Sequence, residues 1–113
     1  MERILLRRED VEIMQAMVDR LRSPAPFVRE VACKVLGHGG NRNVTGLLLG
    51  ALEDKSLMVR RAAVLALADI CDPSSIPRLL ERYKASASDD INVRAAIECA
   101  LDRMGVEYIV HPD

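Results

Sequence analysis

Apolar residues along this chain recur at intervals of three and four, and in three places they do so in register. The segments are Val28-Arg29-Glu30-Val31-Ala32-Cys33-Lys34-Val35-Leu36, Val59-Arg60-Arg61-Ala62-Ala63-Val64-Leu65-Ala66-Leu67 and Val93-Arg94-Ala95-Ala96-Ile97-Glu98-Cys99-Ala100-Leu101. Each opens with Val-Arg and places Leu eight residues after the Val, and their starts lie 31 and 34 residues apart. Within a segment the apolar positions fall at 0, +3, +4, +7 and +8, the spacing of a helix with one buried stripe. A repeat of this period points to stacked helical units that share one core.

A second amphipathic helix precedes each of these. It is marked by Val11, Met14, Met17, Val18 and Leu21; by Val44, Leu47, Leu48, Ala51 and Leu52; and by Ile76, Leu79, Leu80 and Tyr83. Turn residues separate the elements: Ser23-Pro24-Ala25-Pro26, Gly37 to Asn43, Glu53 to Ser56, Asp72 to Ser75, and Ala85 to Asp90. Pro73 and Pro77 suit a loop and a first helical turn, where a missing N–H is tolerated. The pattern predicts helices near 9–22, 26–37, 43–53, 57–71, 75–85 and 91–104, with the apolar run of the first of the three Val-Arg helices stopping early, at Leu36-Gly37-His38-Gly39-Gly40. The expected fold is all-α, a solenoid of about three helical hairpins near 9–39, 40–71 and 72–105, forming one domain over 1–105 with a tail at 106–113.

These residues resemble the HEAT repeat family, and within it the HEAT-like repeats also seen in phycobilin lyase subunits. The resemblance is carried by Asp54 with Val59-Arg60, Ala63 and Leu67, by Asp72-Pro73-Ser74-Ser75-Ile76-Pro77 with Leu79-Leu80, and by Val93-Arg94, Ile97, Leu101 and Gly105. It covers roughly residues 9–105, with Ser23 and Ser88 standing where Asp is usual. It implies a superhelix whose second helices line the concave side, and Arg29, Arg60 and Arg94 forming a structural ladder with turn carboxylates such as Asp54, Asp89 and Asp90. It is specific for fold and not for function.

Composition narrows the function. Half of the 113 residues are apolar and 29% are charged, as in a folded domain, and the aromatics are only Phe27, Tyr83 and Tyr108. The net charge of −1 argues against a dedicated nucleic-acid binder. No apolar run is long enough to span a bilayer, and the charged start is no signal peptide, so no membrane association and a cytoplasmic location are expected. Cys33, Cys71 and Cys99 are odd in number and widely spaced, neither a disulfide framework nor a zinc motif.

Candidate chemistry is sparse. His38 lies in a glycine-rich turn and His111 in the tail, neither with a carboxylate or Cys at ligand spacing. No His-Glu pair exists of the kind that binds iron in HEAT-like hydroxylases. The Gly37-His38-Gly39-Gly40 turn lacks the strand and the Lys of a phosphate cradle. No enzyme activity, cofactor, metal or catalytic residue is expected.

What remains is the stripe of the second helices that faces away from the apolar positions, at +2, +5, +6 and +9. It offers Glu30, Cys33 and Lys34; Arg61, Val64 and Leu65; and Glu98 and Cys99, an apolar centre with charged flanks. The leading expectation is a scaffold or adaptor that binds a protein partner there. An accessory subunit of a bilin or cofactor lyase or chaperone system is the alternative that the resemblance raises, and a basic nucleic-acid groove ranks last. The charges of the first helix suit a polar N-terminal cap, so any homo-oligomer is expected through the C-terminal end.

Overall fold

The computed structural model describes residues 8–85 and 91–106, and among them every regular element is helical. Six α-helices follow one another: α1 (Arg8–Arg20), α2 (Pro26–Gly39), α3 (Thr45–Ala51), α4 (Leu57–Ile70), α5 (Ile76–Ala85) and α6 (Ile91–Arg103). Single 3₁₀ turns, Arg42–Val44 and Pro73–Ser75, lead into α3 and α5. The expected all-α solenoid is the observed architecture, and the six expected helices lie where the periodicity puts them. The expected Ala85–Asp90 turn lies beyond Ala85 outside the described residues, as does the expected tail after Val106.

The caps explain the starts. Ser56 turns its hydroxyl back to the Val59 N–H at the head of α4. Asn41 and Asp72 do equivalent work 31 residues apart, their side-chain oxygens accepting from the N–H groups of Asn43 and Ser74 at 2.8 and 3.0 Å. Pro26 opens α2, where its fixed φ fits the first turn.

One end differs from expectation. Helix α2 runs on through Gly37 to Gly39 instead of stopping at Gly37. Gly37 remains helical because it is a packing residue: a Cβ there would stand 2.6 Å from the Ala66 Cα of α4. The stop is made by Gly40, which takes φ 70° and donates its N–H to the Gly37 carbonyl.

Packing is sequential. Each first helix packs on its own second helix, and α2, α4 and α6 lie side by side as a continuous layer. Ala32, Gly37, Ala62, Ala63, Ala66, Ala68, Ala96 and Ala100 are buried in that layer, and such small side chains let the helices approach closely. Leu36, Leu48, Leu52, Leu67, Leu79 and Leu101 fill the space between layers, each at most 1% exposed. Burying one such side chain is worth roughly 1.5–3 kcal/mol, so these leucines dominate the stability of the array. The first helices sit further apart. Between α1 and α3 open a groove of about 190 Å³ lined by Val18, Leu21, Leu47 and Ala51 and one of about 320 Å³ lined by Val11, Met14 and Asn41. The second helices are thus closely packed while the first helices are splayed.

Candidate interaction surface

The second helices have neighbours on both sides as well as beneath, and this decides which of their residues are free. In α4, Ala62 and Ala66 meet α2, and Val64 and Ala68 lie on the flank toward α6; all are buried. Cys33 and Gly37 of α2 are the equivalents of Val64 and Ala68 and are buried too. Of the four outward positions expected, +5 and +9 are therefore lateral packing positions in α2 and α4. Cys33 and Val64, both 0% exposed, are core residues and cannot meet a partner. Burial also pushes the Cys33 thiol up to about 12, which keeps it protonated at neutral pH.

Positions +2 and +6 do face outward. Lys34, Arg61, Leu65 and Cys99 are exposed and Glu30 is half-buried, as is Glu98 at +5 of α6. Glu30 pairs with Lys34 one turn on at 3.2 Å. Glu98 is held from behind, its carboxylate accepting the Tyr83 hydroxyl of α5 at 2.6 Å. The Arg94 guanidinium lies 4.2 Å from the centre of the same Tyr83 ring. Glu98 thus joins α5 to α6, and its carboxylate is already engaged inside the hairpin.

Between α2 and α4 the outward residues enclose a shallow groove of about 160 Å³ lined by Glu30, Lys34, Met58, Arg61, Ala62 and Leu65. Met58 is 51% exposed, and Leu65 at the other end of the groove is 37% exposed. Met58 is absent from the sequence-derived stripe because it precedes Val59, at position −1. The large apolar Phe27 stands at the same position of the first copy, and that pairing was the available signal.

Arg29 and Arg60 turn toward the loops. Arg29 grips Asp54 with two parallel bonds, Nε to Oδ2 at 2.8 Å and Nη2 to Oδ1 at 2.9 Å, and donates a third to the Ser23 carbonyl. Arg60 donates to the Asp54 backbone carbonyl at 2.7 Å. Asp54 also accepts from the Ser56 N–H, so one turn collects the arginines of two successive copies. The Arg29 guanidinium holds the Asp54 carboxyl below its ordinary range, and Asp54 in turn raises Arg29. The possible carboxylate partners of Arg94, Asp89 and Asp90, lie outside the described residues.

Further ties join elements within and between hairpins. Thr45 donates to Asp72 at 2.9 Å, Arg42 to the Cys71 carbonyl at 3.1 Å, and Arg103 meets Asp69 at 2.8 Å. Asp72 is held below its ordinary range, chiefly by the Ser74 N–H. All of this is bracing between elements. Among the described residues no three His, Cys, Asp or Glu side chains cluster as a metal cage would, and no helix is long and apolar enough to cross a membrane.

The sequence matches the family model of HEAT repeats over residues 14–102. The chain belongs to the HEAT repeat family. HEAT repeats are typically protein-interaction scaffolds and usually non-catalytic. No curated protein matches the chain at a significant level.

Proposed function

We propose that this HEAT repeat chain is a non-catalytic adaptor that binds a protein partner across the face of α2, α4 and α6 that carries Met58 and Leu65. Its hairpin units are taken as 9–39, 40–71 and 72–105. The observation that carries the proposal is the groove between α2 and α4, where exposed Met58 and Leu65 flank Arg61 and lie opposite Lys34. Partner surfaces commonly combine an apolar centre with a charged rim, and methionine adapts its shape to what it meets. Cys99 extends the row on α6 at the position of Lys34 and Leu65. Arg29 and Arg60 are committed to turns, so the regular row of arginines supports bracing over phosphate binding. Three free cysteines suit a reducing compartment such as the cytoplasm.

The test is affinity capture from native cells with wild type, Met58→Glu and Leu65→Glu, with circular dichroism confirming that the helices persist. Gln15→Glu, on the opposite face, is the control. A protein retained by wild type and the control but lost from both folded groove variants is the expected result. Equal retention by all four removes the groove as the working surface.

A further inference from the structure

The two ends of the layer formed by α2, α4 and α6 are unlike in chemistry. Internally, each second helix offers its +3 and +7 residues to the helix before it: Ala62 and Ala66 in α4, Ala96 and Ala100 in α6, all buried. In α2 the same positions are Val31 and Val35, with no second helix before them among the described residues, and they are 38% and 37% exposed. Phe27 lies on the same flank at 72%. Ile13, 53% exposed, lies on the side of α1 away from Val11 and Val18, which line the grooves toward α3, and so belongs to this end as well. At the other end the +5 and +9 residues of α6 are Glu98 and Asp102, where α2 and α4 have Cys33, Gly37, Val64 and Ala68.

We infer that the chain forms a two-fold dimer through this end, with α2 of one copy antiparallel to α2 of another. Head-to-tail stacking would set Val31 and Val35 against Glu98 and Asp102, burying carboxylates on an apolar stripe, so an open filament is disfavoured. The antiparallel pairing is self-complementary. Centred near Ala32, it interleaves Val31 and Val35 of each copy and lays Phe27 toward the far end of the other α2. Glu30 and Lys34 lie on one flank of α2, four residues apart around that centre. A two-fold axis across the helices brings like flanks together, so Lys34 of each copy stands opposite Glu30 of the other. The pairs formed within one helix can then be exchanged for pairs between copies. The sequence alone points to the opposite, C-terminal end for self-association.

Sedimentation of the full chain across a concentration series tests this. Wild type is expected to dimerise reversibly, and Val31→Glu to be monomeric. Glu30→Lys and Lys34→Glu each set like charges across the axis, and each weakens the dimer by about tenfold or more. The double exchange restores opposite charges and returns the affinity to within about threefold of wild type. Circular dichroism establishes that each variant is folded. A wild type that stays monomeric overturns the inference, and one that dimerises only after removal of residues 1–7 does so by showing that the chain itself occupies this end. A dimer indifferent to the single exchanges, or not rescued by the double one, also overturns it.

Discussion

Gly37 shows how one missing side chain positions two helices. A Cβ at this residue would meet the Ala66 Cα and Cβ at 2.6 and 2.7 Å, and a backbone atom cannot swing aside as a flexible side chain can. Gly37→Ala therefore gains helix propensity but forces α2 and α4 apart, and overpacking of this kind costs about 1–3 kcal/mol, more than the propensity returns. Thermal denaturation is expected to show a lower midpoint despite the better helix former; an unchanged or higher midpoint would mean the contact is loose. Asp54 gives a second test with a definite sign. Its folded pKa is depressed below the ordinary 3.8, first by the Arg29 hydrogen bond. The stabilisation it supplies is fully present above the unfolded value and is lost as pH falls through the folded one. Asp54→Asn should thus destabilise at neutral pH, and its deficit relative to wild type should shrink as pH drops below about 3.8. A deficit constant from neutral to strongly acid pH, measured by urea denaturation, would show that the ionised carboxylate is not what matters.

Among the elements, α3 is the weakest by local criteria. It has seven residues, two of them Gly46 and Gly50, and its first turn has no acidic residue. Its place is held from outside, by Leu48 and Leu52 in the core and by the Thr45–Asp72 bond to the next hairpin. Neither glycine has positive φ, and a Cβ at either would meet nothing within 4 Å. Gly46→Ala and Gly50→Ala should each stabilise, by roughly 0.5–1 kcal/mol, through propensity and reduced freedom of the unfolded chain. Calorimetry of the double variant checks this, and a lowered midpoint would show that α3 needs its glycines for a reason beyond helix formation. The contrast with Gly37 is instructive: of these three helical glycines, one is required by a neighbour and two are dispensable to the fold.

At the scale of the whole molecule, the fold was legible because one short signature, Val-Arg followed by Leu eight residues later, recurs in phase and fixes where every second helix lies. The candidate surface was legible only in part. A helical wheel separates the side facing the core from the side facing away, but it contains no lateral neighbour, so Cys33 and Val64 read as outward when stacking buries them. For the same reason Val31 and Val35 read as ordinary members of α2, although their equivalents in α4 and α6 are alanines packed against another helix. Lys34, Arg61, Leu65 and Cys99 read as outward and are exposed, because +2 and +6 point along the direction that stacking leaves open. Met58 was missed because it precedes the repeat signature by one residue. The central claim is that a partner covers the face of α2, α4 and α6 that carries Met58 and Leu65 and leaves the grooves between α1 and α3 bare. Hydroxyl-radical footprinting of the chain with and without the captured partner tests it most directly, since Met58 and Leu65 on that face and Val11 and Leu47 in those grooves all start substantially exposed. The account predicts protection of Met58 and Leu65 with Val11 and Leu47 unchanged; protection of Val11 and Leu47 with Met58 still oxidised would contradict it.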